Sequence, residues 1–267
     1  MAKKSLGQNF LVDERVAARI VRDLAPAGET VLEIGAGRGA LTTHLLAQAG
    51  RVVAIEFDRE LVPVLRARFA GRDNFTLIEG DALAVDYCAA VAPAVQARVV
   101  ANLPYNISTA ILQRLLAARA CLTELVLMLQ REVVARLVAP PGTPERGYLS
   151  VLVEAYCEPE ALFDVAPEAF RPVPKVWSTV VRLRLRARSA ADVADETLLW
   201  QLVSAGFAQR RKTIYNNLRS APAALAERIG AHGGAHAVLA AAELDSQRRA
   251  ETLTLMEWSR LTRALEK

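Results

Sequence analysis

Cysteine is scarce in this chain of 267 residues, which contains only three of them. Cys88, Cys121 and Cys157 lie far apart, are odd in number and form no CxxC pair. This pattern argues against a disulfide framework and against a cysteine zinc site. The sequence therefore predicts a protein of a reducing compartment, the cytoplasm.

Histidine is equally rare, and its one suggestive spacing does not indicate a metal. His232 and His236 are separated by three residues, but Gly233 and Gly234 stand between them. No cysteine pair or glutamate pattern accompanies them to complete a ligand set. We expect a loop and a helix start here, and no bound metal.

Long apolar runs and a strong charge excess are also missing. No run reaches membrane-spanning length, and the opening MAKKSLGQNF is too polar for a signal peptide. We expect no membrane association. With 52% hydrophobic and 23% charged residues the chain fits a packed globule. The net charge of +4 mildly favours a polyanionic partner without selecting one.

Apolar strands alternate with helices along the first half of the chain. Predicted strands cover residues 31–34, 51–58, 75–83, 97–105 and 124–130, with helical segments at 13–25, from 40, at 59–70 and at 108–119. Asp13 is the expected N-cap of the first helix. Strands that are apolar on both faces predict a parallel sheet covered by helices on both sides.

The pattern changes after about residue 130. Residues 131–139 are predicted helical, 140–147 form a Pro/Gly loop, and 149–165 and 177–188 are predicted as two long strands. From Asp195 the chain is helical to its end. We therefore predict an α/β domain over residues 1–189 and a small all-helical domain over 190–267.

A glycine loop and two acids follow successive strands. In EIGAGRG, residues 33–39, Gly35, Gly37 and Gly39 permit a tight turn and close approach of a ligand. Such loops alone bind several kinds of nucleotide. Glu56, ending the second strand, can accept both ribose hydroxyls, and Asp81, ending the third, can accept from an adenine amino group. The glycine spacing differs from the dinucleotide form, and so predicts a nucleoside ligand without pyrophosphate, S-adenosylmethionine.

The fourth strand stops at the turn Asn102-Leu103-Pro104-Tyr105. An exocyclic amine of a base is a poor nucleophile, and two acceptors for its hydrogens would favour a more tetrahedral nitrogen. The Asn102 side chain and the Leu103 backbone each offer a carbonyl, while Pro104 holds Leu103 extended. Tyr105 offers a ring for stacking. The alternative is an ordinary turn, with Asn102 as a cap and Tyr105 as a packing residue.

Taken together, the motifs resemble the ribosomal RNA adenine N6,N6-dimethyltransferase family over nearly the whole chain. They are KKSLGQNFL (3–11), EIGAGRGALT (33–42), IE.D (55–58), GDAL (80–83), NLPYNIS (102–108), LMLQREVVARL (127–137), FRPVPKVWSTVVRL (170–183) and FAQRRKTIYNNL (207–218). Within this family, the NLPYN turn and the segment at 207–218 are more similar to those of the small-subunit enzymes than to those of the resistance enzymes that modify the large subunit.

The resemblance implies a Rossmann-like class I methyltransferase domain followed by the small helical domain. It implies transfer of methyl groups from S-adenosylmethionine to two adjacent adenosines near the 3′ end of 16S rRNA, in a small ribosomal particle during its biogenesis. We expect a monomer. A large-subunit rRNA methyltransferase, a DNA adenine methyltransferase and a non-enzymatic assembly factor remain alternatives, and a nicotinamide-dependent oxidoreductase is a weaker one.

The resemblance also assigns residues by motif position. The cofactor contacts implied are Asn9, Leu11, Gly35, Gly37, Glu56, Asp81, Ala82 and Asn102. The target base would be held by Asn102, Leu103, Pro104 and Tyr105, with Phe170 on its opposite face. RNA contacts are expected from Arg210, Arg211 and Lys212 on a basic helix.

Other basic residues are open to two interpretations. Arg182, Arg184, Arg186 and Arg188 share one strand face, which is either a solvated surface or a phosphate contact. Lys3 and Lys4 either order over the cofactor or RNA or form a frayed end. The loop at 139–148 is less characteristic of the family, and its contacts stay undetermined.

Overall fold

A computed structural model describes residues 8–266, which form two compact units. The sheet unit runs up to Val134 and includes Glu158–Ala187, and the helical unit comprises Ala135–Cys157 and the chain from Arg188 onward. The segment 135–157 thus belongs to the helical unit, although a division at residue 189 placed it in the first domain. Lys3 and Lys4 lie outside the described residues.

Residues 8–266 contain nine strands, and seven of them form one sheet. They are β1 (Phe10–Leu11), β2 (Thr30–Ile34), β3 (Arg51–Glu56), β4 (Phe75–Glu79), β5 (Ala97–Asn102), β6 (Leu122–Gln130), β7 (Cys157–Val165), β8 (Phe170–Arg171) and β9 (Ser178–Leu185). The sheet order is β4-β3-β2-β5-β6-β9-β7, parallel from β4 to β6, with β9 antiparallel to β6. The antiparallel pair β1–β8 is separate. The predicted, mostly parallel α/β fold is confirmed.

Five helices belong wholly to the sheet unit. They are α1 (Glu14–Leu24), α2 (Ala40–Leu45), α3 (Leu61–Arg68), α4 (Tyr87–Val91) and α5 (Ser108–Ala117). The Asp13 carboxylate caps α1 by accepting from the backbone N–H groups of Arg15 and Val16. Ile20, Leu24 and their neighbours on one face are buried, as its 3.6-residue period predicts.

The central strands are largely apolar, and both of their faces are covered. Val52 and Val53 of β3 and Val99 and Val100 of β5 have no exposed surface. The chain passes from β2 to β3 and β4 on one side, then returns to β5 on the other. The order therefore reverses between β2 and β5, where open α/β sheets bind their ligands.

The helical unit is built from the remaining helices. These are α6 (Arg131–Leu137), which enters it, α7 (Tyr148–Tyr156), α8 (Glu196–Gly206), α9 (Ile214–Arg219), α10 (Ala223–Ala231), α11 (Gly234–Ala241) and α12 (Leu255–Arg263). Trp258 is fully buried in its core. The loop at 139–148 is anchored by buried Arg146, which binds the Glu154 carboxylate at 2.6 Å and the Leu253 carbonyl at 3.1 Å.

Two secondary-structure predictions in this unit are wrong. Residues 149–156 form most of α7 rather than a strand, because an apolar run without alternation fits a buried helix equally well. The Ser150 hydroxyl binds the Gly147 N–H at 2.9 Å and so supports the helix start.

The predicted basic helix is also interrupted. Helix α8 ends at Gly206 and α9 begins at Ile214, so residues 207–213 form turns. Asn217 Nδ2 donates to the carbonyls of Gly206, at 2.6 Å, and Gln209, at 3.2 Å, which stabilises this break. Thr213 caps α9. Arg210, Arg211 and Lys212 therefore project from a turn.

The histidine pair lies where the sequence predicted a loop and a helix start. His232 ends α10, Gly233 precedes α11, and the His236 ring contacts Tyr215. Across residues 8–266, no group of three or more His, Cys, Asp or Glu side chains is arranged to hold a metal ion. None of the helices in that range is long and apolar enough to cross a bilayer.

A disulfide joins Cys88 to Cys121, contrary to the prediction from cysteine spacing. The two are 33 residues apart in sequence, yet their Cα atoms are 5.6 Å apart. Cys88 lies in α4, just before β5, and Cys121 precedes β6; Ala97 at the start of β5 pairs with Leu122 of β6. The parallel pairing thus brings the two cysteines to one end of the sheet. Cys157 is buried and is not part of this disulfide.

Reduction of this bond should destabilise the protein. Closing a loop across 33 residues stabilises a fold by about 3–4 kcal/mol, largely by restricting the unfolded chain. We expect dithiothreitol to lower the urea midpoint of the oxidised protein and to leave that of Cys88→Ser unchanged. Thiol titration of the unreduced, unfolded chain should find one free cysteine. Three free thiols and equal midpoints would contradict the bond.

Candidate active site

A cavity of about 290 Å³ lies at the carboxyl ends of the parallel strands. Asp81 follows β4, Glu56 ends β3, Gly35 follows β2 and Asn102 ends β5, in the order of the strands across the sheet. Every residue predicted to contact the cofactor lines this cavity: Asn9, Leu11, Gly35, Gly37, Glu56, Asp81, Ala82 and Asn102. Leu103, Pro104 and Tyr105 line it as well.

The glycine loop requires glycine at two positions for different reasons. Gly39 has φ +81°, and a Cβ there would lie 2.7 Å from the Phe69 ring. Gly37 has φ +58°, and its backbone N–H donates to Glu56 Oε2 at 2.8 Å. The loop is therefore fixed to the end of β3 and presents backbone to the cavity.

Glu56 is buried, and its carboxylate is held by backbone donors. Besides Gly37, the Asp58 N–H donates to Oε1 at 2.8 Å. Burial raises the pKa of Glu56, while these hydrogen bonds oppose the rise. Each carboxylate oxygen has a further lone pair, so two more donors can be accepted.

Asp81 and Ala82 form a fixed turn beside Glu56. Asp81 Oδ1 accepts the Leu83 N–H at 2.8 Å, and the carboxylate is exposed. The Tyr87 hydroxyl donates to the Ala82 carbonyl at 2.6 Å. These contacts hold the Asp81 carboxylate at the rim of the cavity and fix the backbone of Ala82 next to it.

Two further cavity residues were not assigned from the sequence. Glu33 is 1% exposed in β2, and Thr42 Oγ1 donates to its Oε2 at 2.6 Å. Burial, aided by the charge of Glu56, raises the pKa of Glu33 to about 7. Phe57 lines the cavity and is 56% exposed. Two features of the sequence could have identified these residues: Glu33 is a carboxylate within an apolar strand, and Phe57 is an aromatic residue directly after a strand-end acid.

The segment at residues 8–11 forms one wall of the cavity. Its strand β1 pairs with β8 through Phe10↔Arg171 and Leu11↔Phe170. Gln8 Nε2 donates to Asp58 Oδ2 at 2.9 Å. These bonds attach the segment to two separate parts of the sheet unit.

The turn after β5 is held from three directions. Asn102 Nδ2 donates to the Asn9 carbonyl at 3.0 Å, and no donor within residues 8–266 reaches its Oδ1. The Leu103 N–H donates to the Met128 carbonyl at 3.3 Å. The Tyr105 hydroxyl lies 3.0 Å from Ser178 Oγ, and burial raises the pKa of this phenol. Tyr105 is thus neutral, and Asn102 offers a fixed acceptor.

Phe170 does not lie where the resemblance placed it. Its side chain is fully buried in the core, and it is not part of the cavity wall. Phe170 pairs with Leu11 across β8 and β1, and both residues belong to the hydrophobic core of the sheet unit. In this structure Phe170 supports the segment at residues 8–11 rather than facing a ligand.

The predicted RNA-contact residues differ in their partners. Arg210 Nη2 is bound by the carbonyls of Pro144 and Arg146, and Glu251 lies 4.0 Å away. Arg211 and Lys212 are exposed, and neither has an ion-pair partner among the described residues. Only the latter two are therefore available to an anionic ligand.

The arginines of β9 are paired across strands. Arg182 binds Glu160 at 2.9 Å, Arg184 lies 3.5 Å from Glu124, and Arg186 beyond the strand binds Glu158 at 3.0 Å. These acids neutralise the first three arginines, which favours the solvated-surface interpretation for them. Arg188 lies beyond the strand, is exposed and has no ion-pair partner among the described residues, so its role is undecided between the two interpretations.

The fold and the site define a class I methyltransferase. The parallel sheet reverses its order at β2–β5, and a glycine loop, two strand-end carboxylates and an Asn-Leu-Pro-Tyr turn surround one cavity there. The cavity therefore lies where open α/β sheets bind their ligands, and acidic, amide and aromatic side chains line it.

Comparison with known proteins identifies the family. The profile of the family described as ribosomal RNA adenine dimethylase matches residues 1–260. Ribosomal RNA small subunit methyltransferase A of Geobacter sulfurreducens is 46% identical, over 99% of this chain and 95% of its own. The protein of that name from Moorella thermoacetica is 44% identical, over 99% and 92%. The chain belongs to the ribosomal RNA adenine dimethylase family.

Solved structures agree with the fold. The 23S rRNA methyltransferase ErmE superposes with a TM-score of 0.72 at 26% identity, covering 97% of this chain and 100% of its own. A dimethyladenosine transferase from Plasmodium falciparum gives 0.79 at 23% identity, covering 94% and 95%. At that identity the second comparison supports the fold alone.

Glu33 should make stability depend on pH in a specific direction. Its folded pKa, about 7, exceeds the ordinary value of 4.5, so between these values the folded state binds more protons than the unfolded one. The Glu33 contribution therefore favours folding below pH 4.5 and is lost as the pH rises towards about 7.

Glu33→Gln removes this titration, so urea unfolding across that pH range should show a flatter stability profile than the parent. Exposed Glu132→Gln is the matched control and should follow the parent. Parallel profiles for parent and Glu33→Gln would show that the burial of this carboxyl has no such effect.

Proposed function

We propose that this protein transfers methyl groups from S-adenosylmethionine to the N6 amino groups of two adjacent adenosines near the 3′ end of small-subunit rRNA. The observation that carries the proposal is the Asn102 amide, whose Nδ2 is bound to Asn9 beside the cavity and whose Oδ1 remains an acceptor. Relatives called small subunit methyltransferase A, similar over nearly the full chain, support the choice of RNA. Such a substrate is a ribosomal particle, so we expect a cytoplasmic enzyme, acting as a monomer.

The cavity residues fit S-adenosylmethionine. Glu56 keeps lone pairs for two ribose hydroxyls, and Asp81 keeps one carboxylate oxygen outside its turn for an adenine amino group. Gly35 and Gly37 allow close approach of the ligand to the backbone. Asn9, Leu11 and Ala82 complete the walls. When bound, this cofactor supplies an electrophilic methyl group on sulfur.

The turn after β5 would position the target amine. Asn102 Oδ1 and the Leu103 carbonyl accept the two amino hydrogens, which reduces delocalisation of the nitrogen lone pair into the ring. Tyr105 stacks on the base, and its hydrogen bond to Ser178 fixes the plane of the phenol. No strong base is needed, because positioning supplies most of the rate increase.

The target adenosine must leave its stack to reach this turn. A cavity at the strand ends admits a base only when the nucleotide is turned out of the RNA. Arg211 and Lys212, which lack acidic partners among the described residues, would contact phosphates on the helical unit. Arg210 instead has a structural role, since its guanidinium binds the loop carbonyl of Pro144.

Parallel methylation assays test this proposal. The protein is incubated with labelled S-adenosylmethionine and, separately, with unmethylated small subunits, large-subunit rRNA and duplex DNA. We expect labelled dimethyladenosine with small subunits alone. Label confined to large-subunit rRNA or to DNA would overturn the assignment of substrate, and binding to small subunits without label would favour an assembly role.

Asn102→Ala should separate catalysis from binding. Loss of one positioned acceptor of this kind lowers turnover by roughly 10²–10³, while the affinity for small subunits should change little. Single-turnover methylation and subunit binding measure the two effects. Gln96→Ala is the matched control, since Gln96 is an exposed amide just before the amino end of β5 and outside the cavity lining, and it should retain turnover. Intact turnover in Asn102→Ala would refute the acceptor role.

A further inference from the structure

We propose that residues 171–177, the β8–β9 loop, bind the nucleotide adjacent to the target adenosine, with Trp177 as the stacking residue and Lys175 as a phosphate contact. The inference rests on the proposed function and extends it to a second position along the RNA strand. Four features of the loop support it: its apolar side chains are exposed, its two ends are attached to the cavity wall, the backbone of Trp177 is hydrogen-bonded, and its charge is positive.

The loop exposes an unusual amount of apolar surface. Trp177 is 47% exposed, Val173 52% and Val176 40%. The other two tryptophans differ: Trp258 is fully buried, and Trp200 Nε1 donates to the Tyr156 hydroxyl at 3.1 Å. Exposed apolar side chains grouped in one loop indicate a contact surface for a partner.

Both ends of the loop are attached to the cavity wall. At its start, Arg171 pairs with Phe10 of β1. At its end, Trp177 is followed by Ser178, whose Oγ lies 3.0 Å from the Tyr105 hydroxyl. Phe10 and Tyr105 both line the cavity. Trp177 is therefore one residue away from a direct contact of the proposed base-stacking tyrosine.

The backbone of Trp177 is held in place although its side chain is exposed. The Arg131 N–H donates to the Trp177 carbonyl at 2.9 Å, and Ser178 pairs with Gln130 in the sheet. Pro172 and Pro174 restrict φ within the loop. A ring presented on a backbone already ordered binds a ligand at lower entropic cost.

The charge of the loop favours a polyanion. Lys175 is exposed, and no acid among the described residues forms an ion pair with it. Arg171 is also exposed and binds the carbonyls of Glu168, at 3.0 Å, and Phe170, at 2.8 Å, and no carboxylate within residues 8–266 forms an ion pair with it. An aromatic ring with neighbouring cations is the usual combination for single-stranded nucleic acid.

The chemistry of base extrusion explains why such a ring is useful here. When the target base leaves the RNA stack, the adjacent base loses one stacking partner. An indole on a loop whose two ends are attached to the cavity wall can replace that partner, at any base, because every base has a π face. A protein surface could cover the valines, but it would not account for the cations or for the attachment to Tyr105.

Kinetics of Trp177→Ala test the inference. Because stacking on one base contributes about a fivefold to hundredfold gain in affinity, we expect KM for small subunits to rise within that range while kcat remains near the parent value. Trp177→Phe keeps a ring and should restore most of the loss. Val95→Ala is the control, since Val95 is 83% exposed but precedes the amino end of β5, at the opposite edge of the sheet.

A direct readout is acrylamide quenching of tryptophan fluorescence. A single-stranded RNA oligonucleotide with two adjacent adenosines should protect the parent from quenching and should give no such protection in Trp177→Phe. Unchanged KM in Trp177→Ala, or absence of protection in the parent, would overturn the inference. A KM increase with particles but unaltered oligonucleotide affinity would also overturn it, in favour of a ribosomal protein contact. If the parent methylates no small subunits, the proposed function itself fails.

Discussion

One hydrogen bond, from Asn102 Nδ2 to the Asn9 carbonyl, connects the two walls of the cavity. It fixes which end of the amide is an acceptor, because the donating end is already occupied. It also depends on the segment at residues 8–11 staying in place, which β8 and the Gln8–Asp58 contact ensure. Phe10 in that segment lies close enough to the glycine loop that a Cβ on Gly37 would be 3.3 Å from its ring. The orientation of the Asn102 amide, the position of the wall at residues 8–11 and the conformation of the glycine loop therefore depend on one another.

Carboxylate burial is the main free-energy cost of this arrangement. Glu33 and Glu56 are both almost inaccessible, and burial raises the pKa of each carboxyl because it disfavours the charged form. Thr42 and the N–H groups of Gly37 and Asp58 offset part of that cost. A stability-optimised sheet would place apolar residues at these strand positions, so the acids indicate that the strand ends are shaped for a ligand.

The parts of the structure that sequence reasoning could reach are those governed by local rules. Apolar runs predict buried strands. Because the carboxyl ends of parallel strands meet at one edge of the sheet, the strand assignment alone predicts that four residues lie together: Gly35, Glu56, Asp81 and Asn102. The errors arose where tertiary contacts decide. Residues 149–156 lack a period that separates helix from strand, and the break after Gly206 depends on the Asn217 side chain. Likewise, the approach of Cys88 to Cys121 follows from strand pairing, and the burial of Phe170 accompanies its pairing with Leu11.

Basic residues show most clearly why composition does not locate a nucleic-acid surface. The arginine row that begins in β9 has the most conspicuous charge pattern in the sequence, yet Glu124, Glu158 and Glu160 pair with its first three arginines across strands. Arg210 is bound to backbone carbonyls and also lies 4.0 Å from the Glu251 carboxylate. The cations without acidic partners in the described part of the chain include Lys175, Arg211 and Lys212. A paired arginine must break its ion pair with a carboxylate before it can bind a phosphate, which costs free energy. An unpaired cation can bind a phosphate and release counterions without that cost. The state of pairing, rather than the net charge of +4, therefore indicates where RNA would bind.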